Sequence, residues 1–161
     1  MSEQVEWAAH CTVLLALLPD GRSLSAARLA EYHGVPAPYL AKSLQALMQA
    51  GLVTSRPGRS GGYRLARPPG QITLLDVFRA IEGDATFFRC TEIRRQGPTR
   101  VAASRYAPVC GVARAMWGAE EAWRTSLDGI TVGDLAAGTL VDAPPDAVAK
   151  GVRWLATVRS P

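Results

Sequence analysis

Between Ser55 and Leu65 the chain reads Ser-Arg-Pro-Gly-Arg-Ser-Gly-Gly-Tyr-Arg-Leu, and few folds accommodate such a run. Its glycines permit a tight reversal and a close backbone approach to another surface. Leu52-Val53-Thr54 leads in and Tyr63-Arg64-Leu65 leads out as two short strands. The element expected here is a β-hairpin tipped by Arg56 and Arg59, whose planar, permanently charged guanidinium groups suit phosphate oxygens and base edges. A hairpin armed in this way has the character of the wing of a winged helix-turn-helix.

The chain upstream supplies the helices that such a wing accompanies. Residues 3–18 carry a helical stripe of Val5, Ala9, Val13 and Leu17, ended by Pro19-Asp20-Gly21. Ser23 or Ser25 can cap a second helix, Ala26 to Tyr32, closed by Gly34. Pro36 opens a third helix that runs to about Ala50. Its inward stripe is Leu40, Leu44 and Leu47, which leaves Tyr39, Lys42, Ser43 and Gln45 for solvent or a DNA groove. Two short helices about a glycine-containing turn are the helix-turn-helix arrangement, with the second helix placed to enter the major groove. Tyr39, Lys42 and Ser43 are therefore expected at bases, with Arg59, Gly61 and Tyr63 in the wing and Arg28 and Arg56 on phosphates.

Charge supports a polyanionic partner. The net charge is only +4, but no Asp or Glu occurs from Tyr32 through Leu75, where Lys42, Arg56, Arg59, Arg64 and Arg67 lie. An acid-free basic stretch of this length is an electrostatic footprint for nucleic acid. The longest apolar window, Cys11 to Leu18, is too short to span a bilayer. Acidic Glu3 and Glu6 stand where a secretory signal would be basic. With three cysteines and no export signal, a reducing cytoplasm is the expected compartment. No Gly-rich phosphate loop or nucleophile elbow suggests an enzyme.

Past the hairpin, Pro68-Pro69-Gly70 breaks the chain and residues 72–83 read as a capped amphipathic helix. A long loop follows from Asp84 to Val109, carrying Cys90 and five arginines; loops of that length are usually functional. Cys110 opens a helix to about Leu127 with a broad stripe of Val112, Ala115, Met116, Ala119, Ala122, Trp123 and Leu127. It suits a dimer interface or an ordinary core. Residues 131–140 suggest a short capped helical turn, and the tail after Pro144 is weakly helical. The expected organisation is a mainly α chain with a small β-hairpin wing: a winged helix-turn-helix over 1–83, a ligand-bearing loop over 84–110, a long dimerisation helix and turn over 111–140, and a tail over 141–161.

Tyr39-Leu40-Ala41-Lys42, Gly51-Leu52-Val53, Gly61 through Pro68, and Ile72-Thr73-Leu74-Leu75-Asp76-Val77 together resemble the Rrf2 family of bacterial winged-helix regulators, over the N-terminus to about Leu135. The resemblance implies a homodimeric transcription factor on double-stranded DNA with two-fold-related half-sites. It also implies that the third helix and wing read DNA, that the helix at 111–127 pairs the subunits, and that the intervening loop holds the cysteines of an iron–sulfur cluster.

One departure from the family pattern bears on that cluster. Its common cluster-binding members carry three closely spaced loop cysteines, whereas this chain has only Cys90 and Cys110, with no cysteine or histidine between them. Two thiolates cannot complete an ordinary four-cysteine 2Fe–2S site. On the first helix Glu6 and His10 are four residues apart and project from one face, while Cys11 turns toward the apolar side as a small core residue. The segment Val5 to Cys11, with Cys90-Thr91-Glu92-Ile93-Arg94 and Cys110, is similar to a redox-regulating branch of the family. That similarity implies one 2Fe–2S cluster per subunit, bridging the dimer, with Glu6, His10, Cys90 and Cys110 as ligands and Trp7 transmitting the change. Imidazole in place of thiolate reduces the negative charge on such a cluster and raises its potential. The function expected is a repressor whose DNA affinity follows the cluster's redox state. The alternative is a cluster-free regulator of the same fold, governed by a Cys90/Cys110 thiol switch or by zinc. His33, before Gly34, reads as a helix-end residue.

Overall fold

The computed structural model describes residues 2–58, 61–98, 100–106 and 108–157. They form two compact units, one of Met1–Gly83 with Leu127–Pro161 and one of Asp84–Ser126. In chain order the elements are α1 (Glu3–Ala16), α2 (Ala26–His33), α3 (Ala37–Gln49), β1 (Val53–Arg56), β2 (Gly62–Leu65), α4 (Leu74–Glu82), α5 (Gly111–Asp128), α6 (Val132–Asp142) and α7 (Pro145–Ala156), with three short 3-10 turns between them. The expected mainly helical chain with one antiparallel hairpin is what is found.

In the first unit α1 is the central pillar, packed on α3, α4 and α6. Because it is covered from several sides, it buries Val5, Ala8, Cys11, Thr12, Leu14 and Leu15, a broader face than a single stripe. Of the four residues expected inward, only Val5 is fully buried; Ala9, Val13 and Leu17 are half-buried. Around α1 the core closes with Leu29, with Leu40, Leu44 and Leu47 of α3, and with Leu52, Ile72, Val77 and Val132.

The helix-turn-helix follows its caps. The Ser25 side chain accepts the Arg28 amide, and Gly34 ends α2 in the left-handed conformation at φ 66°, where a side chain would be strained. Pro36 then opens α3. The hairpin pairs Val53 with Leu65 and Arg56 with Gly62. β2 is also tied to the segment before α2: Tyr63 N–H donates to the Leu24 carbonyl at 2.7 Å, and Leu24 N–H donates to Tyr63 at 3.0 Å.

Two matched capping boxes, Thr73/Asp76 on α4 and Thr131/Asp134 on α6, start these helices beside one another. Leu74 N–H reaches the Ile130 carbonyl and Val132 N–H the Ile72 carbonyl, both at 2.8 Å. Thus α6 is a full eleven-residue helix rather than a single turn. Residues 145–156 of the tail also form a helix. This twelve-residue helix, α7, presents Val148, Gly151, Trp154 and Leu155, and the last two pack on the core.

The second unit is α5 with the irregular segment that precedes it. That segment is stapled to the helix: the Phe87 amide donates to Glu120 at 3.0 Å, and Trp117 Nε1 donates to the Phe88 carbonyl at 3.2 Å. Val112, Met116 and Trp117 leave an exposed apolar strip along α5.

Candidate nucleic-acid interface and metal-ligand residues

On α3, Tyr39 is 55% exposed, and Lys42 and Gln45 are exposed on the same helix. Ser43 is not with them. It is three residues from Leu40 and four from Leu47, so it falls on the inward stripe and is only 1% exposed. Its hydroxyl is buried without a partner, which makes a base contact untenable. An orphaned buried hydroxyl costs on the order of 1–3 kcal/mol, so Ser43→Ala is expected to raise the urea midpoint and leave DNA affinity unchanged.

In the hairpin, Arg56 is exposed at the end of β1, whereas Arg59 lies outside the described residues. Gly61 is half-buried, and a Cβ there would run into the main chain of Arg56 and Pro57, so it shapes the turn. Tyr63 packs against the core while its backbone holds Leu24; it anchors the wing. Arg64, part of the basic stretch, has a buried Nε without a partner. Arg28 is exposed only in part and is engaged inside the protein: Nη1 pairs with Glu31 at 2.7 Å and Nη2 donates to Thr157 at 2.7 Å.

Glu6 and His10, one turn apart on α1, are both exposed. With Trp7, His33 and Val35 they line a cavity of about 240 Å³. The His10 and His33 rings are 5.9 Å apart. Burial, and then the nearby His10, hold the His33 imidazole below its ordinary pKa, and its Nε2 is buried without a partner. Trp7 stands edge-on to Tyr39 at 6.5 Å, so a residue between the two α1 ligand candidates touches the exposed face of α3. His33 does close α2 as expected, but it also walls the cavity beside His10. Its position just before the turn gave no sign of that.

In the second unit Cys90 and Cys110 both lie within the electrostatic reach of Arg94. The Arg94 guanidinium binds Glu92 at 2.8 Å, and Glu92 also accepts a hydrogen bond from the Cys90 thiol at 3.6 Å. Tyr106 O–H braces the Arg94 carbonyl at 2.6 Å. Among the described residues Glu92 alone, apart from glycines, has a positive φ, at 51°, a strained conformation that persists where surrounding contacts enforce it. Hydrogen bonds from Arg94 hold the Glu92 carboxyl below the usual range. The Ala113 and Val112 amides at the start of α5, and then Arg94, lower the pKa of the Cys110 thiol. Burial instead pushes Cys11 up to about 12, consistent with a core residue. Glu92 and Arg94 thus join the thiols; the charges beside Cys90 were visible in the sequence, but their mutual closure was not.

Glu6 and His10 lie in the first unit, and Cys90 and Cys110 in the second. Among the described residues no three His, Cys, Asp or Glu side chains gather into a metal-holding group within one chain. Among the described residues no helix is long and apolar enough to cross a membrane.

A helix-turn-helix followed by a two-stranded hairpin, seated on α1 and closed by α6, defines a winged-helix protein. Residues 1–138 match the Rrf2 family profile, described as an iron-dependent transcriptional regulator, and the chain belongs to the Rrf2 family. It is 37% identical over 89 residues to a Bacillus subtilis protein named as an HTH-type transcriptional regulator, a match covering 55% of this chain and 57% of that one. The chain therefore spans little more than half of that relative's length. A Mycobacterium tuberculosis protein named in the same terms is 33% identical over 143 residues, with 87% and 83% covered. Among solved structures, IscR of T. potens superposes with TM-score 0.68 at 23% identity, covering 92% and 95% of the two chains, which speaks for the fold alone. CymR, titled the global cysteine regulator of B. subtilis, gives 0.67 at 26% identity, covering 86% and 97%.

Proposed function

We propose that this chain is a DNA-binding transcriptional repressor, acting as a homodimer on double-stranded operators with two-fold-related half-sites, and that its DNA affinity follows the redox state of a 2Fe–2S cluster. The observation that carries the DNA reading is the exposed edge of α3, with Tyr39, Lys42 and Gln45, followed by an arginine-bearing hairpin inside an acid-free stretch. Lys42 is assigned to base edges and Arg56 to phosphate, with Arg59 placed alongside them by sequence.

The ligand set proposed is Glu6, His10, Cys90 and Cys110, a pattern like that of the redox regulator RsrR. The donors suit such a group in pairs: two thiols share one arginine in the second unit, and a carboxylate and an imidazole stand one turn apart on α1. We infer that the four-ligand site is completed by the α1 pair of one subunit and the cysteine pair of the other. Bound there, the group supplies one-electron redox chemistry. The chain's own part is to favour thiolate at Cys110 through the amides of α5, and to carry a shift of α1 into α3 through the Trp7–Tyr39 contact. Trp7→Ala is expected to retain iron but flatten the redox dependence of DNA affinity; an unchanged dependence would remove Trp7 from the pathway.

The test of the cofactor is iron and acid-labile sulfide on protein purified without oxygen. About two of each per chain are expected, with loss in His10→Ala and Cys110→Ser. Neither iron nor sulfide in the unaltered chain would favour the second reading, a Cys90/Cys110 thiol switch. What supports that reading is the lowered pKa of Cys110 beside Arg94.

A further inference from the structure

The family-matched segment ends at residue 138, yet α7 (Pro145–Ala156) continues beyond it and seats on α2, the first helix of the helix-turn-helix. The Trp154 ring lies 4.8 Å from Tyr32, and Gly151 leaves room for the Tyr32 hydroxyl, which a Cβ there would meet at 3.3 Å. The polar side of this seat closes on one residue. The Arg28 guanidinium stacks 4.2 Å above the Trp154 ring, its Nη1 pairs with Glu31 at 2.7 Å, and its Nη2 donates to Thr157 at 2.7 Å. Trp154 Nε1 donates to the same Glu31 carboxylate at 3.3 Å, which fixes that carboxylate opposite the guanidinium.

Arg28 stands in the first turn of α2. In helix-turn-helix proteins this helix crosses the DNA backbone, and a helix N-terminus carrying a cation is a natural phosphate site. Here the cation is neutralised, one face of the guanidinium plane is covered by the indole, and both terminal nitrogens are occupied. Without the indole and Thr157, what remains is an exposed i,i+3 ion pair. Such pairs are weak, and phosphate can compete for the guanidinium.

We propose that α7 is a latch that withholds Arg28 from DNA phosphate, so that undocking the helix adds one phosphate contact per subunit. The proposal rests on the DNA-binding reading. It predicts a change in ionic footprint rather than in sequence preference, because phosphate contacts carry no sequence information.

The test is the salt dependence of binding to a fluorescein-labelled duplex of random sequence, with the full chain, Trp154→Leu and a chain ending at Ala143. Each is made with Arg28 intact and with Arg28→Gln. Trp154→Leu keeps an apolar side chain on the core and loses the stacking face and the indole donor, so it serves where the truncated chain does not fold; thermal melting followed by circular dichroism identifies the folded variants. The logarithm of affinity should fall more steeply with the logarithm of salt, by about 0.9 per phosphate gained in each subunit. That increment should vanish in the Arg28→Gln background. An unchanged slope in a folded Trp154→Leu protein overturns the latch. So does a shallower slope when Arg28→Gln is introduced alone, since Arg28 would then already touch phosphate with α7 docked. If the unaltered chain shows no salt-dependent binding at all, the DNA-binding reading falls and the latch with it.

Discussion

Gly62→Val is expected to separate the wing from the helix-turn-helix and to abolish DNA binding. A Cβ at Gly62 would lie 2.5 Å from the Leu24 carbonyl carbon, 2.6 Å from its oxygen and 2.8 Å from the Ser25 nitrogen. All three are main-chain atoms, so no rotamer change relieves the clash and β2 itself must move. The first casualties are the paired hydrogen bonds between Tyr63 and Leu24, at 2.7 and 3.0 Å. Net worth for each is about 1 kcal/mol, and forcing extra methyl groups into a packed site adds about 1–3 kcal/mol. A loss of about 3–5 kcal/mol is a large share of a typical domain's stability. The damage also spreads toward DNA: Leu24 is 1% exposed, and Ser25, the next residue, caps α2. Urea denaturation read by circular dichroism gives the stability change, and fluorescence anisotropy with a labelled duplex gives the affinity. Gly58→Ala is the control: φ there is +112° with open space around it, so it strains the turn without touching Leu24 and should cost less. A Gly62→Val midpoint equal to that of the unaltered chain would mean that the close approach is not what holds the wing.

That contact illustrates what the sequence could and could not reveal. Ser25, Gly34 and Pro36 are local instructions: each acts on its own or adjacent backbone, and α2, the turn and α3 lie where those residues place them. The Leu24–Tyr63 bridge joins two single residues far apart in sequence, and no local pattern announces it. Ser43 is hidden because an i+3/i+4 stripe has width, and a small polar residue at its edge gives no signal of facing inward. α1 failed differently, since a helix surrounded by α3, α4 and α6 buries more of its circumference than one stripe describes. In the tail, Gly151 lowers helix propensity at the very position where the Tyr32 hydroxyl needs space, so a packing requirement disguised an ordered helix as a weak one. Of the ligand candidates, the Glu6–His10 spacing was legible. The Glu92–Arg94 clamp was not, because it depends on Glu92 adopting a left-handed conformation that ordinary residues avoid.

Further along the second unit Glu120 anchors the segment that leads into Cys90, and Glu120→Ala should loosen it. Glu120 is only 9% exposed on an otherwise open helix. One carboxylate oxygen accepts the Phe87 amide at 3.0 Å and the other pairs with Arg124 at 3.0 Å. Arg124 in turn reaches Asp84 at 3.0 Å and the Ala85 carbonyl at 3.1 Å, while the Phe87 ring rests 5.0 Å from Trp123. Removing one member of a buried pair costs about 3–5 kcal/mol because the other charge is stranded. Here the lower end is expected, since the exposed Asp84 still faces Arg124. The loss should be local, for the network lies wholly within residues 84–126. Once the Phe87 amide is orphaned, the segment entering Cys90 is left with the Trp117–Phe88 hydrogen bond, the Arg124 contacts and the Phe87–Trp123 ring pair, and Cys90 alkylation by a maleimide, followed by mass spectrometry, should accelerate several-fold. Glu120→Gln keeps an acceptor for Phe87 and should show a smaller increase. Equal labelling in all three proteins would mean that the segment is held by other contacts. The segment that carries Cys90, the proposed ligand, is fastened by a few polar contacts and one aromatic pair, which places it toward the low-stability end from which switching elements are drawn. On the proposed function, redox chemistry at Cys90 and Cys110 reorganises this segment while the helix-turn-helix stays folded.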